Sequence, residues 1–171
     1  MIEMRVAGIA LDAATRTPIV LLKDGTERRA LPIWIGQAEA KAILLALEQE
    51  KPVRPLTHDL MTNILQAWEM TLDRVVIHSL QDNTYYAVLT LRQGEIKKEI
   101  DARPSDAIAL AVRSDCPIWV LEEVVADASI PVDRDADEAE RQAFREFLDK
   151  IRPEDFTHQG QDQDLEDSSA S

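Results

Sequence analysis

The chain has 171 residues, of which 45% are hydrophobic and 30% are charged, and its formal net charge is -13. This length favours one folded domain, and the single cysteine, Cys116, excludes an internal disulfide. No apolar run approaches the ~20 residues of a membrane span, and the first five residues lack the pattern of a signal peptide. We therefore expect a cytoplasmic protein.

The acidity is distributed unevenly along the chain. Residues 1–132 contain 14 lysines and arginines against 19 aspartates and glutamates, whereas residues 133–171 contain 5 against 13. The net charges are therefore -5 and -8. Proteins that coat phosphate backbones present a basic surface, so a strong non-specific DNA-coating role is excluded, while a local basic cleft in residues 1–132 stays open. The shift in composition predicts a domain over 1–132 and an acidic extension over 133–171.

The first third of the chain has the pattern of an antiparallel meander. Alternating and continuous apolar runs predict three strands separated by turns. Asp24-Gly25 is the strongest turn signal, because glycine tolerates the positive φ of a tight reversal. The predicted strands cover 2–11, 18–23 and 27–35.

Two helices should follow, over 37–50 and 58–70, with Gly36 before the first and Thr57 as the cap of the second. Each has apolar side chains at helical spacing, which predicts one buried face per helix. These faces consist of Ala40, Ile43, Leu44 and Leu47 in the first helix and of Leu60, Ile64, Leu65 and Trp68 in the second.

In the remainder of the domain, the sequence predicts three more strands, a third helix and a short last strand. Pro104 suits the first position of the third helix, which is apolar nearly all round and should be the most buried. The strands are expected over 72–78, 84–91, 95–101 and 117–120, and the helix over 104–113. The fold class is therefore α+β, with an antiparallel or mixed sheet of about six to seven strands and three helices.

The acidic extension combines one amphipathic stretch with a polar end. A helix over 136–151 would present Phe144, Phe147, Leu148 and Ile151 on one face. Residues 157–171 have almost nothing to bury, so we expect them to be disordered and dispensable for folding.

Common catalytic and metal-binding motifs are absent, which leaves three polar clusters at predicted helix starts. The first is Arg54 with His58 and Asp59. A helix N-terminus binds anions, so this cluster could hold a phosphate and supply an acid or base. The alternative is structural: Thr57 caps the helix, Asp59 complements its dipole and His58 is an exposed first-turn residue.

The second cluster is Asp101, Arg103, Ser105 and Asp106, at the start of the third helix. Two carboxylates beside an arginine could bind Mg²⁺ and position a phosphate. Capping of the helix by Asp106 is the structural alternative and needs no missing partner.

The third cluster is Gln37 and Glu39, at the start of the first helix and shortly after Trp34. For Trp34, a core or subunit contact is favoured over stacking on a base. If the three helix starts converge, they form one polar cleft that accepts anions.

Four segments of the chain together resemble the bifunctional nuclease family. The resemblance extends in order over about residues 1–132, and it rests on 31–40 (LPIWIGQAEA), 54–60 (RPLTHDL), 84–87 (TYYA) and 102–111 (ARPSDAIALA). It implies an α+β domain that tends to self-associate and that cleaves DNA and RNA. Some relatives append a UvrB/UvrC-type helical module, in place of which this chain has its acidic extension.

The resemblance implies a nuclease that hydrolyses phosphodiester bonds, with Mg²⁺ or Mn²⁺ as a candidate cofactor. Hydrolysis requires an activated water, charge relief on the phosphate and protonation of the leaving oxygen. The residues proposed for these roles are His58, Asp59 and Asp106 for catalysis, Asp59 and Asp106 as metal ligands, and Arg54, Arg103 and Ser105 for phosphate binding. The alternative is a non-catalytic oligomeric binding or regulatory module, in which the same residues are helix caps and interface pairs.

The predicted strand around Trp34 also bears on assembly. Residues 31–35 are apolar on both faces, whereas a small sheet usually keeps one face in water. A second covering layer is therefore expected, and a homodimer or larger homo-oligomer would provide it. The competing explanation is that the chain's own helices, including the one in the extension, cover both faces.

Overall fold

The computed structural model describes residues 1–132 and, beyond them, 142–143 and 145–146. The helix expected over 136–151 therefore lies almost wholly outside the described residues, as does the segment 157–171. Among the residues described, no helix is long and apolar enough to cross a membrane.

The described part of the chain is an α+β fold with one mixed sheet, as the sequence predicts. Its eight strands and four helices exceed the expected numbers by one or two strands and one helix. In chain order they are β1 (Ile2–Leu11), β2 (Pro18–Asp24), β3 (Arg29–Trp34), α1 (Gln37–Leu47), α2 (Thr57–Ala67), β4 (Thr71–Gln81), β5 (Thr84–Gln93), β6 (Ile96–Ala102), α3 (Pro104–Ser114), β7 (Ile118–Val120), α4 (Glu122–Ala128) and β8 (Ile130–Pro131).

The sheet joins two antiparallel meanders through a short central strand. The strand order is β6-β5-β4-β7-β1-β2-β3-β8. The predicted meander of β1, β2 and β3 is confirmed, and β4, β5 and β6 form a second one. The strand β7 pairs antiparallel with β1 and parallel with β4. Its Ile118 and Val120 are buried, as expected for a central strand.

One hydrogen bond shows that the sheet curves strongly. The hydroxyl of Tyr85 in β5 donates to the carbonyl of Pro32 in β3 at 3.1 Å. Four strands separate β5 from β3 in the sheet order, so the two meanders bend toward one another at this end. This curvature brings the end of β3 close to the β4–β5 turn.

The helix α3 is the centre of the core, which confirms the prediction that it is the most buried. Pro104 occupies its first position, where the missing N–H costs nothing. Asp115 ends it in the left-handed conformation, with φ of 49°. Seven of its eleven residues are buried, and it packs against α1, α2, β4 and β5.

The helix α2 differs from its prediction, because its apolar stripe does not face the core. Leu60, Ile64 and Trp68 are exposed, and His58 is the one buried residue of this helix. Helical periodicity indicates that a face is apolar but not what covers it, so this stripe was wrongly assigned to the core.

The strand β3 is largely covered within the chain itself, and the oligomeric state stays a prediction. Leu31, Pro32, Ile33 and Ile35 are all buried within the chain, and Trp34 alone is half exposed. The helix α4, which the sequence analysis missed, packs near β3 and β4 and buries Val124 and Val125. The missed strand β8 pairs with the start of β3.

Two local predictions about turns and caps were also wrong. After Asp24 the positive φ falls on Glu27, at 54°, rather than on Gly25. The N-cap of α2 is Leu56 instead of Thr57, which lies inside the helix. A hydrogen bond from the Leu56 N–H to the Asp59 carboxylate, at 2.9 Å, replaces the missing cap side chain.

Candidate active site

Three helices carry a carboxylate at their third residue, and each of these carboxylates contacts an arginine. They are Glu39 in α1, Asp59 in α2 and Asp106 in α3. An acid in the first turn complements the positive end of the helix dipole. Glu39 and Asp106 share Arg103, whereas Asp59 binds Arg113. The three helix starts therefore form two distinct ionic groups.

Arg103 is the centre of the first group and links α1 to α3. Its Nε donates to Asp106 Oδ2 at 2.7 Å, and its Nη2 lies 3.2 Å from Glu39 Oε1. The two carboxylates raise the pKa of Arg103 above its usual value. The side chain is largely exposed, so the guanidinium is held at the surface with N–H groups left for a ligand.

His58 joins α2 to the same group. Its Nε2 lies 3.0 Å from Asp106 Oδ1, and the residue is 8% exposed. Burial acts to raise the pKa of Asp106, but the hydrogen bonds from Arg103 and His58 hold the pKa below its usual value. Asp106 is therefore ionised at neutral pH and can only accept. It follows that Nε2 of His58 carries a hydrogen and donates it to Asp106.

Asp59 does not join this group, although it is the neighbour of His58 in sequence. Its Oδ1 accepts from Arg113 Nε at 2.7 Å, and its Oδ2 accepts from the Leu56 N–H. The hydrogen bond from Arg113 is the main reason why the pKa of Asp59 is lowered. Arg113 is also held by the carbonyl of Ala109 at 2.9 Å. This ion pair connects α2 to α3 and stabilises their packing.

A cleft of about 420 Å³ opens beside Arg103. The starts of α1 and α3 both line it, which places two positive helix ends at one opening, whereas the start of α2, the third helix start considered from sequence, does not line it. The β4–β5 turn forms another wall, where Asp82 and Asn83 both have positive φ and make a tight hairpin. The lining residues are Thr17, Ile33, Trp34, Ile35, Gly36, Glu39, Asn83, Thr84, Tyr85, Arg103, Pro104 and Ser105.

Two aromatic side chains of the cleft are fixed by hydrogen bonds. The indole N–H of Trp34 donates to Asp12 Oδ2 at 3.2 Å, and 52% of the residue remains exposed. Burial raises the pKa of Tyr85, so its hydroxyl stays protonated and donates to Pro32. The exposed ring of Trp34 gives the cleft a flat apolar face beside its polar floor.

Apart from Asp59, the residues proposed from sequence divide into three sets by position. Arg103 and Ser105 line the cleft, and the buried His58 and the partly exposed Asp106 support Arg103 without lining the cleft. Arg54 is exposed in the loop before α2 and is not among the lining residues, so the structure does not bring it to the cleft.

Sequence reasoning gave too little weight to Glu39 and did not single out Arg113 or Tyr85. Glu39 had been noted in the third cluster, but without a partner it carried no role. An arginine 54 residues from Asp59 leaves no local signal in sequence.

The carboxylates proposed as metal ligands do not suit a divalent cation in this arrangement. Each oxygen of Asp59 and Asp106 already accepts a hydrogen bond from a donor group. Across the residues described, no group of three or more histidine, cysteine, aspartate or glutamate side chains could hold a metal ion. Dependence on Mg²⁺ or Mn²⁺ stays a prediction.

Comparison with known proteins identifies one domain family. The model of the bifunctional nuclease domain matches residues 20–133, a span that contains His58, Arg103 and Asp106. An uncharacterized protein of Mycobacterium tuberculosis (strain ATCC 25618 / H37Rv) is 42% identical over 162 residues, which cover 90% of this chain and 97% of that protein. Bifunctional nuclease 1 of Oryza sativa subsp. indica is 27% identical over 125 residues, which cover 71% of this chain and 38% of the rice protein.

Proposed function

The chain belongs to the bifunctional nuclease domain family, and from this premise we propose that it hydrolyses phosphodiester bonds of DNA, RNA or both at the cleft beside Arg103. The observation that carries the proposal is the convergence of two helix N-termini, an exposed arginine and a carboxylate on one opening. The two helix N-termini and the arginine favour the binding of a phosphate. The carboxylate can accept a proton from water.

Phosphate binding is assigned to Arg103, with Ser105 and the N–H groups at the start of α3 as further donors. The planar guanidinium can present two parallel N–H groups to phosphate oxygens. The exposed ring of Trp34 would stack on a neighbouring base, as aromatic side chains do in single-strand binding sites. This role replaces the core or subunit contact favoured from sequence, because Trp34 lies at the cleft and is half exposed.

Proton transfer is assigned to Glu39. Its carboxylate lies beside Arg103 on the cleft wall, within reach of a water that attacks a phosphate held there. Glu39 would take one proton from this water as the oxygen bonds to phosphorus, and would then return the proton to the leaving oxygen. Arg103 neutralises the charge that develops on the phosphate oxygens.

His58 is assigned a positioning role rather than the acid–base role proposed from sequence. It is buried behind Asp106 and is not among the residues that line the cleft. By donating to Asp106 it fixes the carboxylate that orients Arg103. Residues that do not touch the substrate often hold a functional side chain in place in this way.

The experiment that tests the function is a nuclease assay on the purified full chain with Mg²⁺, Mn²⁺ or EDTA, using single-stranded and duplex DNA and RNA. We expect wild-type cleavage and, for His58→Ala, a loss of about 10-fold to 100-fold, because Asp106 loses one of its two partners. His58→Gln should retain most activity, since its amide can donate from the same place as Nε2.

The pH dependence separates the two roles of His58. If it only positions Arg103, His58→Gln keeps the wild-type pH–rate profile. Loss of one limb of the pH–rate profile in His58→Gln would instead assign proton transfer to His58. A wild-type protein that binds nucleic acid but cleaves none under all three metal conditions would favour the non-catalytic binding module.

Gly36 offers a test of Glu39 that leaves its carboxylate chemically intact. A Cβ at this position would collide with the Glu39 carboxylate, although the backbone, with φ of -75° and ψ of 161°, accepts any residue. We expect Gly36→Ala to fold with a melting temperature within a few degrees of wild type while activity falls about 10-fold or more, because Glu39 must move from its place beside Arg103.

The matched control for this change is Gly25→Ala. An added Cβ at Gly25 meets no atom within 4 Å, so this variant should match wild type in both activity and stability. Full activity of Gly36→Ala would contradict the assignment of proton transfer to Glu39.

A further inference from the structure

The β1–β2 turn, residues 12–17, borders the cleft beside Arg103 and holds the exposed ring of Trp34. Thr17 of this turn lines the cleft, and Asp12 accepts a hydrogen bond from the Trp34 indole. We propose that Asp12 is a positioning residue that fixes the Trp34 ring, and that the fixed ring makes the cleft select single-stranded nucleic acid by stacking on one unpaired base. This selectivity rests on the nuclease site proposed above and narrows its substrate class.

Asp12 is itself held by the turn that it begins. Its Oδ1 accepts hydrogen bonds from the N–H groups of Ala14 and Thr15, at 2.9 Å and 2.8 Å, while its Oδ2 accepts from the Trp34 indole. The Asp12 N–H donates to the carbonyl of Thr17 at 2.9 Å, which closes the turn. The hydrogen bond from the Thr15 N–H is the main reason why the pKa of Asp12 is lowered. Asp12 is therefore ionised at neutral pH and stays an acceptor for the indole.

The backbone of Trp34 is fixed as well as its ring. Trp34 is the cross-strand partner of Ile19 in β2, and the N–H of the next residue, Ile35, donates to the Pro18 carbonyl at 3.0 Å. The ring has therefore lost much of its rotational freedom before a ligand arrives, although 52% of the residue is exposed. A side chain that is ordered in advance binds a ligand without a further loss of its own entropy.

An exposed aromatic ring can stack only on a base whose own face is free. In a duplex the faces of each base are covered by its neighbours, so a base must leave the stack, at a cost in free energy, before it can reach the ring. The bases of a single strand unstack readily, and proteins commonly bind them on aromatic side chains. Stacking tolerates every base, so the ring of Trp34 selects for strandedness and not for sequence.

The charge of the cleft also favours a single strand. Among the described residues that line it, Arg103 is the one cationic side chain, and the neighbouring Glu39 is anionic. Proteins that bind duplex DNA commonly neutralise ~6–10 phosphates. Residues 1–132 contain only 14 lysines and arginines against 19 aspartates and glutamates. The cleft therefore suits one phosphate with its neighbouring base, and the acidic surface around it repels a second strand.

The cleft has about the size that one nucleotide needs. Its volume of about 420 Å³ lies in the lower part of the range of small-ligand sites, ~300–1,000 Å³. Arg103 and Trp34 both line this volume, so a phosphate on the guanidinium and a base on the indole can be held together. A duplex is too wide to present both groups inside such a cleft.

The test is the affinity of the full chain for a short labelled DNA single strand and for the same strand annealed to its complement. It is measured by fluorescence anisotropy at low salt, with the intactness of each strand checked by gel electrophoresis. Wild type should bind the single strand about 10-fold or more tighter than the duplex. Trp34→Ala should lose about 5-fold to 150-fold in single-strand affinity, the effect of one stacked base, and should bind duplex as wild type does. An abasic single strand should bind wild type as weakly as the normal strand binds Trp34→Ala.

Asp12→Asn separates the positioning role from the structure of the turn. The amide oxygen can still accept from the backbone N–H groups of the turn, but the amide nitrogen is a donor and cannot accept from the Trp34 indole. We expect an unchanged melting temperature and a single-strand affinity about 2-fold to 10-fold weaker, since the ring is present but no longer ordered. In the nuclease assay this variant should raise KM far more than it lowers kcat.

A double variant and a control identify the cause of this loss. In the Trp34→Ala background, Asp12→Asn should have no further effect on single-strand affinity, because Asp12 acts through the ring. Glu95→Ala is the matched control and should match wild type. It also removes one exposed acid from a hairpin turn, between β5 and β6, and Glu95 does not line the cleft.

Two results would overturn the proposal: equal affinity of wild type for single strand and duplex, or wild-type single-strand affinity in Trp34→Ala or Asp12→Asn. A wild type that binds single strands through Trp34 but cleaves none would contradict the nuclease function and would still support the strand preference. The affinity measurements therefore distinguish a failure of this proposal from a failure of the proposed function.

Discussion

Replacing Arg103 with alanine should lower kcat/KM for phosphodiester hydrolysis by about 10²-fold to 10³-fold, the range seen when one donor to a developing oxyanion is removed. Among the described residues that line the cleft, Arg103 is the one cationic side chain, and it also orders Glu39 and Asp106. Its loss therefore removes both the phosphate contact and the arrangement of the carboxylates around it. The measurement is steady-state kinetics on a short single-stranded oligonucleotide.

Two further variants separate charge from geometry at this position. Arg103→Lys keeps the positive charge but not the planar pair of donors, so we expect it to recover only part of the activity. Arg92→Ala is the matched control, because Arg92 also pairs with an aspartate, Asp73, but does not line the cleft. A loss of similar size in Arg92→Ala would mean that general charge, and not the site, governs the rate.

The strands and the buried helix were predictable because their signals are local. Pro104 at a helix start and a continuous apolar run after it indicate a buried helix whatever surrounds them. The hairpin at Asp82 and Asn83 is equally local, since both residues accept the left-handed conformation. Short elements such as α4 and β8 were missed, because seven and two residues carry too little periodicity to be recognised.

The candidate site was only partly predictable, because its contacts span long distances in sequence. His58 and Asp106 are 48 residues apart, and their pairing depends on how α2 crosses α3. The sequence suggested both residues as site candidates, because each lies in the first turn of a helix. It also suggested Asp59 for the same reason, and Asp59 instead binds Arg113. Which partner each carboxylate contacts depends on how the helices are oriented relative to one another. The residue types in the first turn of a helix do not determine that orientation.

The apolar face of α2 shows that packing, like the contacts of the site, was only partly predictable from the sequence. Its apolar stripe has the spacing of a core helix, yet the helix buries only His58. Hydrophobic periodicity shows that one face of a helix is apolar, and it does not specify what covers that face. Two polar contacts join α2 to α3 among the described residues, the Asp59–Arg113 ion pair and the His58–Asp106 hydrogen bond, and the two are exposed to a similar degree.

Replacing Asp59 with alanine should destabilise the fold by about 3 kcal/mol, because it leaves the guanidinium of Arg113, which is 9% exposed, without its anionic partner. For a chain of this size that corresponds to a fall of roughly 10 °C in the melting temperature. Asp73→Ala is the matched control. Its partners Arg92 and Lys97 are much more exposed, so its effect should stay below about 1 kcal/mol.

The double variant and the pH dependence test the electrostatic origin of this effect. Asp59→Ala combined with Arg113→Met removes both charges and should recover much of the lost stability. The folded-state pKa of Asp59 lies below its usual value of 3.8, chiefly because of the hydrogen bond from Arg113. Its contribution is thus fully present above the unfolded-state pKa and is lost as pH falls through the folded-state pKa. The melting difference between wild type and Asp59→Ala should therefore be constant from pH 5 to 7 and shrink below about pH 4. A difference that is unchanged at low pH, or a double variant as unstable as the single one, would show that α2 loses packing rather than an ion pair.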